Sequence, residues 1–296
     1  MSVFDSVRRM LEAAERRALP LWELVLDASA QESGLSREES LRTMRERLAV
    51  MRQADAGYDP AQRSPSGLSG GDGEKLRAQT EAGKTIAGPF VGEILAAALR
   101  MGECNACMHR IVAAPTAGAC GVLPALLLPY ARQYGTDDEQ LVRALYVAAG
   151  YGAVIARRAS ISGAEAGCQA EIGSAAAMAA AALVYLHGGT DAQTAHAAAI
   201  ALKNLMGLVC DPVAGLVEVP CVKRNVIGAM DALSAAELAL AGVESRVPVD
   251  EVIDAMRAVG AAMSPALRET GRGGIAASPT AEAFREKFFG SENQKL

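Results

Sequence analysis

Ser162-Gly163-Ala164-Glu165-Ala166-Gly167-Cys168-Gln169-Ala170-Glu171 leads into an uncharged alanine-rich run, and Val209-Cys210-Asp211-Pro212-Val213-Ala214-Gly215-Leu216-Val217-Glu218-Val219-Pro220-Cys221-Val222-Lys223-Arg224-Asn225 follows it. The run, mostly alanine and stopped by Gly188-Gly189, reads as a helix buried in a core rather than as a membrane span. Three of the six cysteines flank it, and Cys210 and Cys221 adjoin an Asp-Pro step and a proline, which end regular helix and leave the backbone irregular. Irregular backbone between helices can present thiolates to a metal centre. The intervals of 41 and 10 residues exclude a structural zinc pattern, which needs close pairs and four ligands, and the tight run of a ferredoxin. They suit a cluster seated between helices, with one iron not held by thiolate.

Composition supports a helical protein. Of 296 residues 51% are hydrophobic but only 4% aromatic, and alanine dominates the apolar set. Small side chains let helices approach closely, so the expected fold is all-α, about ten helices and no strand. A net charge of −5 without a basic face argues against nucleic acid or an anionic membrane as partner and favours small-molecule chemistry. Six cysteines are too few for a disulfide scaffold and no signal segment opens the chain, so the expected location is a reducing cytoplasm. A second uncharged run, Ile111 to Tyr130, holds Pro115, Pro124 and Pro129; it too reads as a buried core helix.

Outward from the cysteines, the pattern predicts a helix over 2–18 and another from Pro20. A capping box at Ser36–Glu39 opens a third, with Leu41, Met44, Leu48 and Met51 as its buried stripe. Residues 1–55 thus form a helical hairpin packed on a catalytic domain of residues 56–296. Residues 56–73 break the helices and read either as a linker or as an active-site loop. Helices are predicted over 88–108, from a Thr136–Glu139 capping box to Arg158, from a Thr190–Gln193 box, over 222–242, and from Pro248 to Met263. Cys104 and Cys107 lack the context of a redox or zinc motif and read as packing residues. Ala114-Pro115-Thr116-Ala117-Gly118-Ala119-Cys120-Gly121 can aim amides and the Thr116 hydroxyl into one concavity suited to a carboxylate, or can simply join helices. Cys168 stands where the dipole of the following helix would favour a thiolate, while His187 and His196 read as structural. Ser264 to Thr280 is a polar, glycine-rich close.

Several ordered motifs carry a resemblance. Gly163-Ala-Glu-Ala-Gly-Cys168-Gln-Ala-Glu-Ile-Gly173, Cys210-Asp-Pro-Val-Ala-Gly215-Leu-Val-Glu-Val-Pro-Cys221 and Ala114-Pro-Thr-Ala-Gly118-Ala-Cys-Gly121 resemble the α chain of the bacterial iron–sulfur L-serine dehydratases, from about residue 20 to about residue 285. The resemblance implies deamination of L-serine to pyruvate and ammonia, a step of serine catabolism and gluconeogenesis. It also implies a [4Fe-4S] cluster held by Cys168, Cys210 and Cys221, with one iron free of cysteine, in place of pyridoxal phosphate. Thr116, Ala117 and Gly118 would then meet the substrate, Ser66, Gly67 and Asp72 would belong to an active-site loop, and Cys120 stays open as a fourth ligand. The general base in such enzymes is attributed to a β portion that these residues do not resemble. A separate β chain is therefore expected in a hetero-oligomer, with this chain inactive alone. Single-chain relatives end in a cysteine tail, whereas this chain ends Asn293-Gln294-Lys295-Leu296, which puts self-capping in doubt. Three alternatives compete: a cysteine desulfidase with the same domain, a cluster-binding electron carrier or redox sensor, and a metal-free bundle in which the cysteines are small core residues.

Overall fold

The computed structural model describes residues 2–290; the tail Asn293 to Leu296 lies outside them. Among the described residues the chain is all helical, with thirteen α-helices and no strand. The front of the chain forms α1 (Val7–Arg17), α2 (Leu21–Ser33) and α3 (Arg37–Ala56). The helix expected over 2–18 is interrupted at Ser6, whose backbone is extended and whose Oγ accepts from the Arg9 amide, so Val3–Asp5 is a separate 3-10 turn. The first two amides of α1 also donate to Asp250, 2.8 and 3.0 Å away, which caps the helix from far along the chain. Ser36 and Glu39 form the expected capping box on α3. Buried side chains of all three helices belong to the same apolar cluster as the rest of the protein.

After the break come α4 (Asp72–Glu81) and α5 (Gly88–Ala106), then α6 (Val122–Tyr134) and α7 (Asp138–Arg158). The run from Ile111 to Tyr130 is not one helix: its first part is irregular, a 3-10 turn covers Ala117–Ala119, and helix starts only at Val122. Pro115 lacks the amide that a continuous helix would use there. The cap of α7 falls on Asp137 and Gln140, one residue past the expected Thr136, because the Thr136 amide closes the end of α6 on Ala131 O at 3.2 Å.

The cysteine-bearing half follows as α8 (Gly163–Ala166), a π-helical turn (Gln169–Gly173), α9 (Ser174–Leu186) and α10 (Asp191–Asn204). It ends in α11 (Cys221–Leu240), α12 (Val249–Ala262) and α13 (Pro279–Phe289). The centre is α9, whose residues Ala175–Ala177 and Ala179–Ala182 are fully buried beneath α6, α7, α10 and α11. Alanine on every side lets four helices pack on one axis, which a helix with bulky side chains could not allow. The segment Gln169–Leu186 is apolar enough to cross a membrane, but 83% of it is buried inside the protein. Buried hydroxyls pair between layers, Tyr146 with Ser40 at 2.8 Å and Tyr151 with Thr194 at 2.6 Å. His187 meets Tyr130, and His196 Nδ1 accepts from the Ser245 amide.

Candidate active site

Cys168 immediately precedes the π turn that leads into α9. Its position is set by Gln169, whose amide donates to Leu208 O at 2.9 Å while its buried side chain accepts from Gly207 N at 2.8 Å and donates to Met256 O at 3.1 Å. One polar side chain thereby ties the Cys168 segment to the stretch that delivers Cys210. Cys210 is held in turn by a two-sided bridge: its amide donates to Leu267 O at 2.8 Å, and the Glu269 amide donates to Cys210 O at 2.7 Å. Cys221 begins α11, next to Pro220. Proline and the short 3-10 turn at Val213–Gly215 keep the backbone between these cysteines irregular.

Glu171 links the 114–121 loop to Cys210. Its Oε1 accepts from the Thr116 hydroxyl at 2.7 Å, and Cys210 Sγ lies 3.9 Å from Oε2. Gly163 and Gly118 wall the carboxylate. A Cβ at Gly163 would stand 2.6 Å from Oε2 and 3.0 Å from Cys210 Sγ, which explains the absence of a side chain there. Burial pushes the Cys168 thiol up to about 11 and the Cys221 thiol up to about 12; it raises Cys210 further still. The charge of Glu171 adds to each rise, and neighbouring thiols add to those of Cys210 and Cys221, so the three groups share one electrostatic environment. Burial also raises the Glu171 carboxyl. The dipole favouring a Cys168 thiolate is thus outweighed by desolvation.

Arg224 is the cation of this pocket. Its guanidinium donates to Val209 O at 2.7 Å and to Asp211 at 2.8 Å, and its charge opposes the rise of the Cys168 thiol. Asp211, 3% exposed, uses its second oxygen to accept from the Ile275 amide at 2.8 Å, which fastens the glycine-rich close of the chain over the cysteine loop. The 114–121 loop is fastened by Asn225: Nδ2 donates to Gly118 O at 2.8 Å and to Cys221 O at 3.0 Å, while Oδ1 accepts from Gly121 N at 2.8 Å.

Of the residues expected at the site, Glu171 joins Thr116 to Cys210, Asn225 joins Gly118 to Cys221, and Gln169 ties the Cys168 segment to the stretch before Cys210. Ala117 lies on the same turn, exposed. Ser66 reaches the cysteine loop indirectly: it and Ser64 donate to the two oxygens of Glu218, at 2.8 and 2.6 Å, with Gly67 turning the chain at φ +78°. Asp72 faces elsewhere, paired with the exposed Lys75 and Lys223 at 2.7 and 3.3 Å. Cys120 Sγ lies 3.6 Å from Met101 O, toward α5, and Cys104 Sγ lies 3.4 Å from Ala54 O, both buried. Glu171, Glu218, Arg224 and Asn225 had no role in the sequence reading. A signal for the first existed, since Glu171 is the sole charge between Glu165 and Asp191.

Among the described residues no three His, Cys, Asp or Glu side chains are grouped to hold a metal ion. A multi-iron cluster spreads its cysteines roughly 6 Å apart, farther than ligands of one ion, so it makes a different demand. The chemistry of the donors present fits that demand: three thiols of raised pKa, two of them buried and Cys221 partly so, which need a cationic partner to become thiolates. A separate cavity of about 600 Å³ lies across the 111–115 segment, lined by apolar residues such as Met44, Met51 and Met178. It reaches the 114–121 loop only at Ala114 and Pro115.

The fold and this pocket define an all-α protein whose polar site is assembled from loops between helices. Residues 16–276 match the family described as serine dehydratase alpha chain, and the chain belongs to that family. It is 46% identical over 288 residues to "Probable L-serine dehydratase, alpha chain" of Bacillus subtilis, covering 97% of this chain and 96% of that protein. To "L-serine dehydratase, alpha chain" of Peptoniphilus asaccharolyticus it is 43% identical over 288 residues, 97% of this chain and 98% of the other. To "L-serine dehydratase TdcG" of Escherichia coli it is 48% identical over 181 residues, 60% of this chain and 40% of that one.

Proposed function

We propose that this chain is the α chain of an iron–sulfur-dependent L-serine dehydratase that converts L-serine to pyruvate and ammonia in the cytoplasm together with a separate β chain. The observation that supports the reading is that Glu171 contacts both Thr116 and Cys210, from segments far apart in sequence, while the charges of Cys168 and Cys221 bear on Cys210. The three thiols would hold a [4Fe-4S] cluster, which when bound supplies Lewis acidity at the iron that no cysteine occupies. Thr116, Ala117 and Gly118 take the substrate carboxylate, with the Thr116 hydroxyl turning from Glu171 Oε1 to the ligand. Glu171 and Gly118 hold the loop against the thiols, so substrate and cysteines keep one relative geometry. The loop of Ser66 and Gly67, locked on Glu218, closes the side of the pocket near Cys221, and Asp72 anchors it from outside through Lys223. Abstraction of the α-proton is assigned to the β chain. Loss of hydroxide from the β-carbon and of that proton gives aminoacrylate and water; tautomerisation and hydrolysis then yield pyruvate and ammonia.

The test is anaerobic iron and acid-labile sulfide analysis of the reconstituted wild type beside Cys168→Ser, Cys210→Ser and Cys221→Ser, followed by pyruvate assay from serine and from cysteine with the β chain present. Iron and sulfide in the wild type, lost in each variant, and pyruvate from serine are expected. A wild type that binds no iron, or variants that keep their full complement, would refute the cluster. Pyruvate from cysteine alone would make the enzyme a desulfidase.

A further inference from the structure

The thiol pocket has more acidic groups than cationic ones. Three cysteines and Glu171 share it, and Arg224 is the cation whose charge bears on Cys168, Cys221 and Glu171 together. Its side chain is only 12% exposed, and it binds the backbone before Cys210 and the carboxylate after Cys210. A planar guanidinium can serve two acceptors in fixed directions, whereas an ammonium on a flexible stem cannot hold them in register. Asp211 is its ion-pair partner, and that carboxylate is committed on its other oxygen to the Ile275 amide. The pair is therefore a buried ion pair whose two contacts flank Cys210 on either side.

We propose that Arg224 is the positioning residue of the thiol site, setting the charge balance of a cluster bound there and clamping the Cys210 segment on both sides of the thiol, with Asp211 moderating its charge. This rests on the cluster reading given above. The physical consequence is a pair of opposite electrostatic effects. Removing a nearby positive charge makes addition of an electron harder and lowers the cluster's reduction potential; removing the moderating carboxylate raises it. A merely structural role would disturb both variants in one direction.

The experiment is an anaerobic redox titration of the reconstituted chain, with iron loss to a chelator followed in parallel, for wild type, Arg224→Gln, Arg224→Lys and Asp211→Asn. Arg224→Gln is expected to shift the midpoint negative and to lose iron about tenfold faster, the effect of one missing charge-assisted hydrogen bond. Asp211→Asn is expected to shift it positive. Arg224→Lys is expected to keep the wild-type midpoint, because the charge remains, yet to lose iron faster because the clamp does not. Should Arg224→Gln fail to fold, the sign of the Asp211→Asn shift decides alone, and a null or negative shift overturns the proposal. Equal midpoints in a loaded wild type and a loaded Arg224→Gln also overturn it while leaving the cluster reading intact. Absence of iron from the wild type overturns the cluster reading first and this one with it.

Discussion

Thr116 shows how much one hydroxyl can be asked to do. It is half-buried, its proton lies on Glu171 Oε1, and the proposed chemistry needs that proton for a substrate carboxylate. Thr116→Val keeps the shape and removes the donor. The expected outcome is a KM for serine raised about tenfold with a smaller change in kcat, while Thr116→Ser stays near wild type; steady-state kinetics of the two-chain enzyme checks this. A second prediction concerns a group away from the site. On α11 burial pushes the Asp231 carboxyl up to about 6, against the pull of the Asn204 bond at 2.7 Å, and its Oδ2 is buried without a partner. A carboxyl whose folded pKa is raised holds its proton more tightly in the folded protein. Its contribution to stability is full below about pH 4 and is lost as pH rises through about 6. Asp231→Asn should therefore stabilise the protein by about 2 kcal/mol near pH 8 and leave it unchanged near pH 4, read from denaturant midpoints at the two pH values. The cysteines and Thr116 stood out as candidates in the sequence because their types and spacing can carry chemistry. Arg224 and Asn225 were not, because an arginine or asparagine inside a helix is ordinarily a surface residue.

Helix identity was legible where caps and periodicity agreed, as at Ser36 and Thr190. Boundaries slipped where two elements compete for one residue: Thr136 closes α6 and so cannot open α7. What joins α11 to the 114–121 loop is Asn225, and Asn225→Ala would leave the Gly121 amide buried with no acceptor. A loss of about 2–3 kcal/mol is expected, with faster proteolysis between 114 and 121, checked by chemical denaturation and limited digestion. Packing of α11 is equally exacting at Gly228, where a Cβ would stand 2.8 Å from Ile172 and 2.9 Å from Val122. Gly228→Ala should cost about 1–3 kcal/mol by forcing α11 away from the π turn, measurable as a lowered Tm.

The assembled protein gathers five separate stretches, 64–72, 114–121, 163–171, 209–225 and 264–275, at one side of the α9 core. It carries apolar groups exposed beside them, Val217 at 37% and Ile275 at 44%. The chain alone is expected to make no pyruvate from serine, and addition of the β chain to restore turnover; a coupled pyruvate assay with and without that chain checks it. Substantial turnover by the isolated chain would transfer the base to these residues, with Glu171 the first group to test.

The amino-acid order by itself determined the helical class and the alanine core, because propensity and small-residue packing are local properties that survive in a string of letters. The tertiary structure alone decided that Glu171 sits beside Cys210 and Thr116, that Arg224 flanks the Cys210 segment and that Asn225, Glu218 and Asp211 fasten the surrounding loops. Those roles depend on burial and on hydrogen bonds between residues 13 to 154 positions apart, and desolvation by distant segments has no counterpart in local sequence.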